Sequence, residues 1–254
     1  MTAALLELDQ VTVRYGGLAA VDNVSFRLEP GEICAVIGPN GAGKTTLFNS
    51  ITGNATTEGR ILFRGEEIQR LPPHAIAARG VRRTFQQGGL FGELTALENV
   101  LTGLHTQIES GVLGLVLARR RAREAERGAT AAAQALLERL GLGALAELPA
   151  RELSGGQQRL VEIARALAGD PPLLLLDEPA VGLSPPMRAK LESTLRARSR
   201  ELGAGILLIE HAIELVMSVA DRVIVLNYGA KIEDATPAAA RANRSVLEAY
   251  LGHA

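Results

Sequence analysis

The sequence contains no tryptophan, and aromatic residues make up only 3% of it. With so few rings it offers no platform on which successive nucleobases would stack. An excess of charge of one sign is also missing: Lys+Arg is 27 and Asp+Glu is 28, for a formal net charge of -1. A generally basic nucleic-acid binder is therefore not indicated, although a local basic patch stays compatible with the numbers. Cysteine occurs once, as Cys34, inside an apolar stretch. One cysteine forms no intramolecular disulfide and constrains the redox compartment weakly. It reads as a small core hydrophobe. Long hydrophobic runs are absent: the longest candidate, Gly111 to Ala118, is far too short to span a bilayer. Met1 to Gln10 carries Glu7 and Asp9 and no basic cluster, which is not the pattern of a signal peptide. If such a chain serves a membrane, it does so through a partner. What is present is ordinary for a globular protein. The 254 residues are 47% hydrophobic and 22% charged, enough for one large α/β domain or two small ones.

The densest signal is Ile33-Cys34-Ala35-Val36-Ile37-Gly38-Pro39-Asn40-Gly41-Ala42-Gly43-Lys44-Thr45-Thr46. An apolar run enters a glycine-rich turn, and Leu47-Phe48-Asn49 reads as the start of a helix. This is G-x-x-x-x-G-K-[ST] in the context that gives it meaning, strand before and helix after. Gly38, Gly41 and Gly43 admit positive φ, so that backbone N–H groups turn inward toward phosphates. A helix starting near Lys44 aims its N-terminal dipole at the same anion. Lys44 supplies a point charge for the β- and γ-phosphates, and Thr45 a hydroxyl for Mg²⁺. Pro39, Asn40, Ala42 and Thr46 complete the candidate nucleotide-binding run. The bland alternative is a glycine-rich turn with no ligand.

Along the rest of the chain, Leu6-Glu7-Leu8-Asp9 with Val11-Thr12-Val13, and Val24 to Leu28, alternate like neighbouring antiparallel strands. Tyr15, before Gly16-Gly17, is open to two readings, packing or stacking on a nucleotide base. Ile61 to Phe63 and Glu66 to Ile68 flank Arg64-Gly65 as a hairpin. Pro72-Pro73 opens a short helix, and Val81 to Phe85 is a strand running into Gln86. From Gly88 to Leu153 the composition turns to Ala, Leu and Arg at helical spacing. Ala133, Leu136, Leu137 and Leu140 form one stripe, with Gly141 as C-cap. Arg119, Arg120, Arg121, Arg123 and Arg127 form a basic run, either a solvated face or a surface near anionic headgroups. Leu153-Ser154-Gly155-Gly156-Gln157 precedes another helical pattern and, taken alone, is a helix cap. Leu173 to Leu176 is a buried parallel strand ending in Asp177-Glu178, at the sheet edge where ligands bind in open α/β folds. Ser184-Pro185 starts a helix. Ile206 to Ile209 is a second buried strand, ending in Glu210-His211, and Val223 to Leu226 a third. After Tyr228-Gly229 the remainder reads as a polar, helical tail.

Strands alternating with helices predict an α/β, mostly parallel, doubly wound core. A phosphate turn plus an acidic strand end supplies both halves of an NTP·Mg²⁺ site. Asp177 fits the metal-side carboxylate. Glu178 is placed to polarise a water against the γ-phosphorus. His211 fits the role of holding that water or the γ-phosphate, and Gln86 that of reaching metal or water.

These motifs, in this order, resemble the ATP-binding subunits of ABC transporters along essentially the whole chain. Gly38 to Thr45 matches Walker A, Leu153 to Gln157 the signature, and Leu173 to Asp177 with Glu178 matches Walker B. Gln86 matches the Q-loop glutamine, His211 the switch histidine, and Tyr15 the adenine-stacking aromatic. Within the family the chain is similar to LivG-type subunits of branched-chain amino acid importers. The carrying residues are Arg83-Thr84-Phe85-Gln86, Leu90-Phe91, Leu94-Thr95, Glu98-Asn99-Val100, Glu178 to Leu183, Ile209-Glu210-His211 and Ala249 to Gly252. It departs from the pattern at Ser184, where the family generally has the D-loop aspartate, and at Gly88-Gly89.

The resemblance implies a P-loop ATPase fold with an N-terminal antiparallel β subdomain. A helical subdomain of about 88–168 is inserted in the nucleotide core, all within one ATP-binding domain of 1–254. It implies ATP and Mg²⁺ as ligands, and Ser154, Gly155, Gly156 and Gln157 acting in trans on a second subunit's nucleotide. That subunit is LivF-like or a second copy. It further implies two transmembrane permeases, a periplasmic or extracellular solute-binding protein, no nucleic acid, and a peripheral place on the cytoplasmic face of the plasma membrane. Phe91 is the candidate anchor for a permease helix in a groove. Two alternatives stay open: import of urea, short amides or other amino acids, and a soluble ABC ATPase of DNA repair or translation.

Overall fold

Alternating runs and short, wholly apolar runs form strands, while the longer stretches mixing Ala, Leu and Arg form helices. The computed structural model describes residues 4–84, 89–104 and 119–251. In chain order come β1 (Leu6–Tyr15), β2 (Leu18–Leu28), β3 (Ile33–Ile37), α1 (Lys44–Ile51), β4 (Glu58–Phe63), β5 (Glu66–Glu67), α2 (Pro73–Ala78) and β6 (Val81–Arg83). There follow α3 (Ala96–Thr102), α4 (Arg119–Arg139), α5 (Gly155–Leu167), β7 (Leu173–Asp177), α6 (Pro185–Leu202) and β8 (Gly205–Ile209). The chain ends with α7 (Ile213–Val219), β9 (Arg222–Asn227), β10 (Ala230–Ala235), α8 (Pro237–Ala242) and α9 (Arg244–Leu251). Gln86, the apolar run 111–118, and the side chains of Arg119, Arg120, Arg121 and Arg123 lie outside the described residues.

The described chain packs as two compact units. The first takes in the chain up to Arg83, Pro172–Ala180 and the chain from Leu195. It holds both sheets. One is antiparallel, in the order β2-β1-β4-β5; the other runs β10-β9-β3-β8-β7-β6. In the second sheet β9, β3, β8, β7 and β6 pair in parallel. Every residue of β3, β7 and β8 is buried, as expected of parallel strands covered on both faces. Leu6, Leu8, Val24, Phe48, Ile51, Ile61, Leu175 and Leu207 belong to one core cluster fed by both sheets and α1. Parallel pairing brings the C-terminal ends of β3, β6, β7 and β8 to the same edge.

The stretch after Tyr228-Gly229 corrects the sequence reading. It begins with a strand, β10, antiparallel to β9, and turns helical only at α8. The turn itself is sharp, with φ of 47° at Tyr228 and 82° at Gly229.

The second unit comprises Thr84–Pro171 and Val181–Thr194. Here α4 buries Ala133, Leu136 and Leu137, with Leu140 buried just past its end, and the chain leaves the helix through Gly141 at φ 78°. A capping box opens α3: Thr95 accepts from the Glu98 N–H, and the Glu98 side chain accepts from the Thr95 N–H.

Candidate nucleotide site

The chain leaves β3 at Gly38 and re-enters regular structure at Lys44, the first residue of α1. Gly38, Gly41 and Gly43 all have positive φ, at 152°, 79° and 99°, as the turn requires. At Gly43 space decides as well as conformation, because a Cβ there would collide with the Ala20 carbonyl oxygen. Lys44 is buried, and its Nζ donates to the carbonyls of Gly38 at 2.7 Å and Pro39 at 2.9 Å. Burial lowers its pKa, and the negative charges of Glu178 and Asp177 pull the other way. The ammonium thus holds the loop in shape within the field of two carboxylates. Thr45 and Thr46 are half-buried, and Asn40 and Gly41 are exposed.

Asp177 ends β7 with 0% of its surface exposed. Its Oδ2 accepts from Arg83 Nη2 at 3.3 Å. Arg83 Nη1 donates to Asn49 Oδ1 on α1 at 2.6 Å, and the guanidinium lies 5.5 Å from the centre of the Phe48 ring. Burial lowers the Arg83 pKa, with Asp177 opposing. Arg83 therefore ties the acidic strand end to the helix that carries Thr45, with Asn49 one turn beyond Thr45. A buried carboxylate and a helix-first-turn hydroxyl are hard oxygen donors, the set that suits Mg²⁺ bound together with phosphate oxygens.

One residue past Asp177, Glu178 has φ 50°, a left-handed conformation uncommon outside glycine. Its Oε1 lies 3.2 Å from His211 Nε2. Both side chains are partly exposed, at 28% and 40%. The structure thus brings Glu178 and His211 into contact next to Asp177, with Lys44 near enough for both carboxylates to act on its charge. Tyr15 ends β1 and is 54% exposed, so its ring is not packed into the core.

In the second unit, Ser154 caps α5. Its N–H donates to Gln157 Oε1 at 2.8 Å, and its Oγ accepts from the Gln157 N–H at 3.4 Å. Gln158 braces the preceding turn by donating to the Ala150 and Leu153 carbonyls. At Gly156 a Cβ would fall 2.7 Å from the Gly182 carbonyl oxygen, whereas at Gly155 it would meet none of the described residues within 4 Å.

Three residues escaped assignment from sequence: Arg83, Asn49 and Glu210. Arg83 pairs in register with Leu175, two residues before Asp177, so the two charged side chains share a sheet face. That signal exists only once β6 is known to lie beside β7. Glu210 is 1% exposed and accepts three backbone N–H bonds. Its signal was a carboxylate set directly after a fully buried strand.

The ABC transporter family profile matches residues 21–181. The chain is 44% identical, over 100% of both sequences, to the high-affinity branched-chain amino acid transport ATP-binding protein BraF of Pseudomonas aeruginosa. It is 43% identical, also over 100% of both, to the high-affinity branched-chain amino acid transport ATP-binding protein LivG of Escherichia coli. A crystal structure of the ADP conformation of an ABC transporter's ATP-binding cassette matches with a TM-score of 0.84 at 33% identity. That match covers 99% of this chain and 100% of the other.

Proposed function

Because the chain belongs to the ABC transporter family of ATP-binding proteins, we propose that it hydrolyses ATP to drive an importer of branched-chain amino acids. The observation that carries the hydrolytic reading is the 3.2 Å contact of Glu178 and His211, placed one residue beyond a fully buried Asp177. Phosphoryl transfer to water needs mainly positioning and charge neutralisation. The backbone of Gly38 to Gly43 and the Lys44 ammonium bind and orient the phosphates. Thr45 and Asp177 would hold Mg²⁺, with Gln86 as a further ligand. When bound, that ion neutralises charge on the β- and γ-phosphates. Glu178 accepts a proton from the attacking water, and His211 holds the water or the γ-phosphate in place. Tyr15 stacks on the adenine.

The rest of the assembly follows the family likeness. The Ser154-Gly155-Gly156-Gln157 turn acts on the nucleotide of a second ATP-binding subunit, LivF-like or a second copy, through its helix N-terminus. The chain is one ATP-binding domain with a helical insert of about 88–168. No described helix is long and apolar enough to cross a membrane, so two permeases carry the pathway. The subunit sits on their cytoplasmic side, and a solute-binding protein delivers the amino acid. The support for the solute is the 44% full-length identity to a protein named for branched-chain amino acid transport. The test is ATPase of the co-purified complex with its binding protein. Stimulation by leucine, isoleucine or valine is expected. Stimulation by urea or short amides alone would replace the solute, and no ATPase in the complete complex would overturn the reading.

A further inference from the structure

We propose that Glu210 is a positioning residue for hydrolysis. Its buried carboxylate fastens the turn after Glu178 to the segment carrying His211, and so sets the contact between those two side chains. The proposal rests on the hydrolytic reading of that contact.

The parallel ladder of β7 and β8 ends at the pair Asp177 and Ile209. Past that pair the two chains diverge into separate turns, and regular pairing no longer fixes one against the other. One further rung follows, from the Glu178 N–H to the Ile209 carbonyl at 2.9 Å. Glu210 then takes over. Its Oε1 accepts from the Ala180 N–H at 2.8 Å, and its Oε2 from the N–H groups of His211 at 3.0 Å and Ala212 at 3.1 Å. A carboxylate with 1% exposure is tolerated only where such donors satisfy it. Glu178, held at φ 50°, is thus gripped on both sides by the end of β8. Its own N–H is bound by Ile209, and the N–H two residues on is bound by Glu210. A side chain in that backbone region persists only where its surroundings dictate it.

The chemistry calls for a carboxylate. Three donors converge on two oxygens, and an amide would turn an N–H₂ group toward one or two of those N–H groups. Threonine at this place has a hydroxyl able to accept from its own turn, but its side chain is too short to reach Ala180.

Glu210→Gln and Glu210→Thr would be made in the full chain, alone and combined with His211→Ala. Single-turnover hydrolysis with excess protein reads the slow rates, and a non-hydrolysable ATP analogue with Mg²⁺ reads affinity. Each single variant is expected to lower the hydrolysis rate ten-fold or more, with analogue affinity within two-fold of wild type. In the His211→Ala background the same changes should cost less than two-fold, because the contact they position is already gone. Equal losses in both backgrounds, or affinity falling with rate, would show a merely structural role and overturn the proposal alone. If Glu210→Gln does not fold, Glu210→Thr decides. A His211→Ala variant hydrolysing at the wild-type rate would overturn the reading of the pair itself, and the proposal with it.

Discussion

Arg83 and Asp177 show at the residue scale what the sequence makes legible and what it hides. Asp177 could be read directly, because an acid ending four leucines at a sheet edge has few other uses. Arg83 could not, because its role depends on which strand lies beside which. Its side chain is 6% exposed and that of Asp177 0%. Removing one member of such a buried pair takes from the other its ion-pair partner at a site that water hardly reaches, which costs roughly 3–5 kcal/mol. Arg83→Met is therefore expected to lower the thermal midpoint markedly in the absence of nucleotide, measured by calorimetry. An unchanged midpoint would mean that water or another group compensates Asp177. Glu178 makes a different case. Its side chain is partly exposed and faces His211, so Glu178→Gln keeps the shape and removes only the base. The variant should bind ATP, retain it and fail to hydrolyse it, read as bound ATP surviving gel filtration. Turnover near the wild-type rate would remove Glu178 from the mechanism.

At the scale of elements, the buried strands were the easiest to read and β10 the hardest. Ala230–Ala235 is Ala-Lys-Ile-Glu-Asp-Ala, an edge strand half-buried along most of its length. Charges on an edge strand suit it to its place but erase the alternation that identifies a strand. The Tyr228-Gly229 turn was visible, and two successive positive φ values are what a tight hairpin demands. The signature turn was legible as a cap, and the cap is present. Whether it also serves a second subunit is a question its two glycines separate. Gly156 is packed against Gly182 and Met187, while Gly155 faces open space. Gly155→Ala should leave the thermal midpoint within about 1 °C of wild type, since none of the described residues would touch the added methyl. ATPase should nevertheless fall several-fold if a partner's nucleotide closes on this turn. Unaltered ATPase would place the partner's contact elsewhere.

For the whole molecule, the open question is where motion leaves the ATPase for the membrane. Phe91 is 56% exposed, whereas Leu90 and Leu94 are half-buried. Its backbone is fixed all the same. The Phe91 N–H donates to Asn99 Oδ1 at 2.9 Å, and Asn99 Nδ2 donates to the Phe91 carbonyl at 3.0 Å. Asn99 itself is 0% exposed. A buried amide thus commits two of its hydrogen bonds to the backbone of Phe91, whose exposed ring adds little to the fold but is pre-organised for a contact. Among the described residues of the same unit, Leu148 and Val181 are the other exposed large apolar side chains. An aromatic anchor buried in a partner's pocket is worth ~2 kcal/mol or more when truncated. Phe91→Ala should therefore leave nucleotide affinity and thermal midpoint nearly unchanged while sharply reducing co-purification with the permeases. Asn99→Ala should lower the midpoint instead, because it strips buried hydrogen bonds. If Phe91→Ala lowered the midpoint as much as Asn99→Ala while the permeases stayed bound, the ring would belong to the fold and the coupling surface would lie elsewhere.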